Sequence, residues 1–257
     1  TAGELRKLGR VDHGDAFLDT DPIERSRGIT IFSKQAVMRF GGNEYTLLDT
    51  PGHVDFSAET ERALRVLDYA VLVISGTDGV QSHTETIWRL LRRYNIPTFI
   101  FVNKMDISFL AAELKRKLSQ GCVEFSMERS KEELCEELAE CSEDLMNSFL
   151  ETGSVPQELI SAAIFRREVF PVVYGSALKL KGVETLLRTI DKFAFQPEQS
   201  GEFGALIYKI TSDDQGARFT HMKITGGSLK VRTLLDCGGK QEKVNQIRVY
   251  SGTKFTA

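Results

Sequence analysis

The sequence predicts a doubly wound α/β domain on a mainly parallel sheet, followed by a smaller antiparallel β unit. Three observations carry this expectation. "YAVLVIS" (69–75) and "TFIFVN" (98–103) are continuously apolar, as strands covered on both faces of a parallel sheet are. Amphipathic helical stretches alternate with such strands, the pattern of βαβ units. After the polar linker "QPEQSG" (196–201) the texture changes to short strand-like runs punctuated by Gly-Gly and Asp-Asp.

In order, strands are expected at Ala36–Phe40, Tyr45–Asp49, Tyr69–Ser75, Thr98–Asn103 and Pro171–Ser176. Between and after them, helical spacing marks Ser57–Leu67, Thr84–Tyr94, Leu110–Leu118, Glu132–Leu150, Pro156–Arg167 and Val183–Phe193. "GALIYKIT", "RFTHMKIT", "SLKVRTLLDC" and "KVNQIRVYSG" then read as antiparallel β, the start of a small barrel. Little of the chain remains for that barrel, so it is expected to be incomplete. No internal repeat or low-complexity tract interrupts this order.

Composition narrows the function classes. The 257 residues, 41% hydrophobic and 27% charged, describe ordinary globular protein. No apolar run approaches the roughly 20 residues that span a bilayer, so no membrane partner is expected. A formal net charge of -3 argues against an autonomous DNA or RNA binder, which carries a basic field. The four cysteines, Cys122, Cys135, Cys141 and Cys237, form no C-x-x-C pair and read as free thiols of a reducing compartment. The chain starts at Thr1 rather than Met, so the true N-terminus is expected upstream.

"DTPGHVDF" (49–56) carries the first chemistry. Pro51 and Gly52 explain a corner, but they require neither Asp49 before it nor His53 after it. A turn opening a helix presents backbone N–H groups that suit a phosphate. A carboxylate beside phosphate needs a cation between them. Asp49, Thr50, Pro51, Gly52 and His53 are therefore candidates for contact with a metal-bound phosphate. Thr30, in the glycine-hinged "RSRGITI", offers a hydroxyl that could ligate Mg²⁺.

Two further loops follow apolar strands. In "NKMD", Asn103, Lys104, Met105 and Asp106, the Asp106 carboxylate can accept from N1–H and the exocyclic amine of guanine, which adenine does not present in that arrangement. Asn103 can tie neighbouring loops, and the stem of Lys104 can cover a flat ring. In "GSAL", the small residues before Leu178, chiefly Ser176 and Ala177, let backbone approach a base edge. Each alone has a bland reading: a common turn, a strand residue, a surface histidine. "DTPGH" is stronger, recurring by chance about once in 10⁶ positions. The shared order and the strand-end placement decide against coincidence.

"RGIT", "DTPGH", "NKMD" and "GSA", in this order, resemble the second to fifth sequence elements of translational GTPases, and the match covers nearly the whole chain. "DTPGHVDF" with "RGITI" is similar to the branch of elongation factor G and the tetracycline-resistance ribosomal protection proteins. Only 69 residues separate Asp106 from Ser176, fewer than the large inserted subdomain of a typical elongation factor G needs. "VDHGDAFLDTDPIERSRGITI" and "ISGTDGVQSHTETIWRLLRRYNIPTFIFVNKMD" also read closer to the ribosomal protection type, which is favoured over the translocase.

The resemblance implies a P-loop-NTPase-like fold, with a GTP-binding domain over 1–197 and the start of a β-barrel second domain over 203–257. It implies that Thr30 and Asp49 hold Mg²⁺, that the Gly52 amide senses the γ-phosphate and that His53 orients the attacking water on the ribosome. Asn103, Lys104 and Asp106 would hold guanine, and the Ser176-Ala177 backbone would contact its carbonyl. GTP and Mg²⁺ are then the cofactors, rRNA and ribosomal proteins the partners, the cytoplasm the location and a monomer the expected state. Positioning and charge neutralisation suffice for phosphoryl transfer.

One departure stands out. The phosphate loop G-x-x-x-x-G-K-[ST] does not occur; the only Gly-Lys pair is Gly239-Lys240, followed by Gln241 in the β region. The first strand and that loop are expected before Thr1. A non-hydrolysing ribosome-interaction module is therefore the rival from another class. The acidic run Glu124–Asp144 reads first as a solvated face and second as a dock for a basic ribosomal protein.

Overall fold

The computed structural model describes residues 24, 30–104, 110–126, 129–196, 201–212, 216–251 and 254–256. Residues 1–23 and the expected guanine-loop residues Met105 and Asp106 lie outside this set. The strands are β1 (Lys34–Phe40), β2 (Asn43–Asp49), β3 (Ala70–Ser75), β4 (Thr98–Asn103), β5 (Cys122–Glu124), β6 (Phe170–Tyr174), β7 (Gly204–Ser212), β8 (Arg218–Gly226), β9 (Leu234–Asp236), β10 (Gln241–Lys243), β11 (Val249–Ser251) and β12 (Lys254–Thr256). The α-helices are α1 (Ser57–Leu64), α2 (Ser82–Arg93), α3 (Leu110–Lys117), α4 (Lys131–Ala139), α5 (Glu143–Thr152), α6 (Gln157–Phe165) and α7 (Val183–Phe193). The chain divides into two compact units. Of the described residues, one comprises those within Phe40–Asn43 and Leu67–Gln196, the other Glu24 and those within 30–39, Glu44–Val66 and 201–256.

The first unit is the expected α/β layer structure. Its sheet runs β3-β4-β6-β5, every neighbouring pair parallel. Strand β4 is central and buried from Thr98 through Val102, which is why its sequence shows no polar alternation. Phe99, Phe101, Val123, Leu138, Leu145, Ile164 and Val173 form the core with Phe193 of α7. The register sets Ser75 beside Asn103, and Gly175 N donates to the Val102 carbonyl at 2.9 Å. The loops after β3, β4 and β6 thus leave the sheet at one end.

Arg167 ties the opposite end. Its guanidinium lies 5.1 Å from the Trp88 ring and 5.0 Å from that of Phe170, and it donates to the Ile96 carbonyl and to Thr98 Oγ1. Burial, with the nearby Arg92 charge, pulls its pKa down to about 10.

Three differences from the sequence expectation have physical causes. The helix expected over Glu132–Leu150 is two helices. Ser142 adopts an extended conformation (φ -157, ψ 159), and Glu143 and Asp144 follow it in the first turn of α5, where the helix dipole favours acids. Strand β5 was not expected: three residues at a sheet edge leave no period to read. The strands expected at Ala36–Phe40 and Tyr45–Asp49 form a pair of their own: among the described strands β1 and β2 pair only with each other. Gly41 and Gly42, both at positive φ (60 and 90), make the two-residue turn that closes a hairpin. Strand β2 is therefore not buried on both faces, and Leu47 is 44% exposed.

In the second unit the C-terminal strands form antiparallel pairs, β7 with β8, β9 with β10 and β11 with β12. No closed barrel forms among the described residues. A register shift between Ile207 and Lys209 leaves Tyr208 bulged and sets Lys209 opposite His221.

Candidate functional site

The corner at the end of β2 is built by its neighbours in the chain. Pro51 is buried, and its carbonyl accepts from Thr60 Oγ1 of α1 at 2.9 Å in a buried hydrogen bond. Phe56 N donates to the His53 carbonyl at 3.1 Å, turning Val54–Phe56 into a 3-10 segment that leads into α1. Gly52 and His53 are exposed. A Cβ at Gly52 would meet no atom within 4 Å, and its φ is not left-handed. Among the described residues neither packing nor backbone conformation demands that glycine.

His53 is held only loosely. Its Nδ1 lies 3.3 Å from the donating Asp55 amide and 3.4 Å from Asp55 Oδ2. The amide needs Nδ1 as an acceptor, whereas the carboxylate needs it as a donor, so the two contacts oppose each other. Its side chain is 49% exposed, and its ring lies 6.1 Å from that of Phe56.

Thr30 precedes a segment whose backbone is gripped from outside. Ile31 N and Phe32 N donate to Glu24 Oε1 at 2.9 and 3.0 Å, and Lys34 pairs with Glu24 Oε2. Ser33 N donates to Glu59 Oε1 at 3.2 Å. Burial alone would push both carboxyls up. For Glu24 the Lys34 ammonium and the two amides more than offset this, and for Glu59 Lys209, the Ser33 amide and Arg62 do so; both carboxyls lie below their ordinary value.

Thr30 and Asp49 carry a hydroxyl and a carboxylate, oxygen donors of the kind Mg²⁺ takes. Among the described residues no group of three or more His, Cys, Asp or Glu could hold a metal. Two protein oxygens with the remainder from water and phosphate is the mode Mg²⁺ prefers.

In the first unit, Asn103 joins two loops. Its Oδ1 accepts from Lys104 N and from Ala177 N, each at 2.9 Å. Lys104 sits at φ 61, a left-handed conformation that Asn103's bond to its amide helps to hold. The loop after β6 closes on itself: Ser176 N donates to the Lys181 carbonyl at 2.9 Å and Lys181 N returns to the Ser176 carbonyl at 3.1 Å. Gly175 is required here, because a Cβ would lie 2.2 Å from the Lys181 carbonyl oxygen and 2.9 Å from the Phe101 ring. Leu178 projects from this loop, 56% exposed.

Asn103, Lys104, Ser176, Ala177 and Leu178 are thus brought together on adjoining loops of the first unit. Thr30 and 49–53 belong to the second unit. Sequence reasoning missed Glu24, Glu59, Thr60 and Lys209. Glu59 and Thr60 could have been suspected from their place in the first turn after the corner; Lys209, 150 positions from Glu59, carries no local signal.

The acidic run is mostly a solvated face. Its exception is Glu137, paired with Lys115 at 2.6 Å and with Arg129. These three side chains, with Cys122, Glu124 and Tyr174, line a cavity of about 290 Å³ that includes none of the candidate site residues. Burial pushes the Cys122 thiol up to about 12 and that of Cys141 to about 11, and all four cysteines are free.

Residues 1–196 match the family described as the elongation factor Tu GTP binding domain. Elongation factor G of Dehalococcoides mccartyi, in strains BAV1 and CBDB1, is 31% identical over 296 residues, covering 87% of this chain and 43% of each relative. A crystal structure from Thermus thermophilus superposes with a TM-score of 0.85 at 22% identity, covering 99% of this chain and 46% of that one, which shows a shared fold. The chain spans less than half the length of these relatives. It belongs to the elongation factor Tu GTP-binding-domain family of translational GTPases, with homology to elongation factor G.

Proposed function

We propose that the intact protein is a ribosome-dependent GTPase acting as a monomer in the cytoplasm, and that it is a tetracycline-resistance ribosomal protection protein. The observation that carries the nucleotide reading is Asn103 Oδ1 at 2.9 Å from the Ala177 amide, which ties the "NKMD" loop to the "GSAL" loop. In this reading Asp106 selects guanine, Lys104 covers the ring and the Ser176-Ala177 backbone contacts the base carbonyl. Because the amides of Ser176 and Ala177 are already engaged within the protein, that contact shares a donor with Lys181 or Asn103. Thr30 and Asp49 hold Mg²⁺, which neutralises phosphate charge when bound. Gly52 offers its bare amide to the γ-phosphate, and His53 aligns water.

Support for the ribosomal protection branch comes from length. The 296-residue alignment to elongation factor G is longer than the 257-residue chain itself, so the relative carries residues inside the aligned stretch that have no counterpart here. The second reading is a translocase of the elongation factor G type, favoured by what the relatives are called. A third, from another class, is a ribosome-interaction module that does not hydrolyse GTP. Gly239-Lys240 is no phosphate loop. Cys237 N donates to the Lys240 carbonyl and Gly239 N to Asp236 Oδ1, a hairpin turn between β9 and β10.

Single-turnover GTP hydrolysis by the intact protein, with and without ribosomes, tests the class. Strong ribosome stimulation is expected; none would leave only the non-hydrolysing module. Translation assayed at inhibitory tetracycline separates the branches: rescue supports ribosomal protection, and complementation of a translocation-deficient extract without rescue supports the translocase.

A further inference from the structure

Three successive amides after Thr30 are directed at carboxylates from elsewhere in the chain, Ile31 and Phe32 at Glu24 and Ser33 at Glu59. Lys209 completes the enclosure. Its Nζ lies 2.8 Å from Glu59 Oε1 and 3.4 Å from the Ser33 carbonyl oxygen, which it approaches as donor, and 5.2 Å from the centre of the Phe32 ring. The Lys209 and Glu59 side chains are only 15% and 12% exposed, so this is a largely desolvated pair and not a screened surface contact. Glu59 Oε2 also meets Arg62 at 3.1 Å.

Both backbone groups of Ser33 are therefore taken by one ion pair. One partner stands on α1, beside Thr60, which pins Pro51 of the corner. The other stands on β7 of the C-terminal β region, in the same compact unit. The first turn of α1 is thus a common anchor for the segment after Thr30, for the corner at 49–53 and for β7.

We propose that Lys209 and Glu59 are positioning residues for Thr30, through which the C-terminal β region sets how well Thr30 is presented to a cation shared with bound GTP. This rests on the reading of Thr30 as a Mg²⁺ ligand. The physical case is that, among the described residues, the segment has no strand partner where it is gripped. Removing the ammonium leaves the Glu59 carboxylate desolvated, with Arg62 as its remaining cationic neighbour among the described residues, and leaves the Ser33 carbonyl without its cation. Glu59 then turns toward solvent and releases the Ser33 amide, and Thr30 loses the fixed residue three positions after it. Lys209→Arg keeps the charge and a donor; Lys209→Met keeps the stem and loses both.

The test uses the intact protein, with Mg²⁺ titrated against a non-hydrolysable GTP analogue, and with GDP affinity measured in chelator. Lys209→Met is expected to weaken the apparent Mg²⁺ affinity about tenfold while leaving GDP binding in chelator within about twofold, as loss of a ligand's supporting contact does. Lys209→Arg should restore most of it. Amide exchange of the 31–33 peptide should quicken in Lys209→Met and, to a lesser degree, in Glu59→Gln, which serves as the second variant if the first folds poorly. Unchanged Mg²⁺ dependence and exchange would overturn the proposal, and equal loss for GTP and GDP would reduce the pair to a structural contact. Thr30→Ala separates the two levels. If Thr30→Ala weakens Mg²⁺ affinity and neither Lys209→Met nor Glu59→Gln does, only the positioning role falls. If Thr30→Ala has no effect, the reading of Thr30 falls and this inference falls with it.

Discussion

His53 concentrates the question of what one side chain contributes. Its Nδ1 faces two long and opposed contacts to Asp55, and its ring lies 6.1 Å from that of Phe56. In the intact protein, His53→Ala is expected to leave GTP binding within about twofold and to lower ribosome-stimulated hydrolysis by at least about 10²-fold, near 2.7 kcal/mol of transition-state stabilisation. The intrinsic rate should change much less. Single-turnover assays with and without ribosomes check this, and equal losses in both would make His53 a residue of the corner alone. Asp106 makes a separate claim. Asp106→Asn should shift preference from GTP toward xanthosine triphosphate, with about 1–3 kcal/mol lost for GTP because a base donor meets a donor instead of an acceptor. Competition binding decides it, and undiminished GTP affinity would remove Asp106 from the base site.

Loops, not helices or strands, carry the candidate chemistry, and the regular elements matter because they aim those loops. The parallel β4–β6 register that sets Val102 beside Tyr174 brings the loop after β6 within reach of the Asn103 carboxamide. Gly175 is the tightest point of that arrangement. Gly175→Ala should destabilise the first unit by about 1–3 kcal/mol, the usual cost of overpacking, because neither the Lys181 carbonyl nor Phe101 can retreat without moving the loop. A urea titration followed by the single tryptophan, Trp88, reads it; an unchanged midpoint would mean the loop yields at no cost. Much of this was legible beforehand. Continuous apolar runs announced β3 and β4, and the corner followed from Pro51 and Gly52. The split between α4 and α5 was not, because Cys141 and Ser142 interrupt the helix without a proline or glycine to mark the break.

Across the whole molecule, carboxylates held by cations set the acid limit of stability. Glu24, Glu59 and Glu137 all lie below the ordinary carboxylate value: burial raises each, and it is more than offset by Lys34 with the Ile31 and Phe32 amides, by Lys209 with the Ser33 amide and Arg62, and by Lys115 with Arg129, respectively. A depressed folded-state pKa contributes stability that is present above the unfolded value and lost as pH falls through the folded one. Unfolding midpoints should therefore hold steady from about pH 7 to 8, begin to fall below about pH 6.5, where burial keeps His221 from protonating as readily as in the unfolded chain, and drop further below about pH 4.5. The alkaline side runs the other way. Cys122 and Tyr174, both raised to about 12 chiefly by burial, contribute stability below their unfolded values, and it is lost as pH rises above them. Midpoints measured from about pH 3 to 10 test both limbs; constancy down to about pH 3 would mean the three ion pairs contribute nothing net.

Fold class, the order of the elements and the identity of the strand-end loops could be read from the amino-acid order, because apolar periodicity and Gly/Pro punctuation are local signals. "NKMD" and "GSAL" were visible in the same way, and so was the capacity of Asn103 to join them. The partner it takes, the Ala177 amide 74 positions later, could not be read, since it depends on how two strands register. That β1 and β2 take each other as partners was equally hidden: a strand's length and composition do not say which neighbour takes its edge. Glu59 meeting Lys209 across 150 positions is the plainest case. Each is an ordinary charged residue on its own element, and only folding brings the two around Ser33.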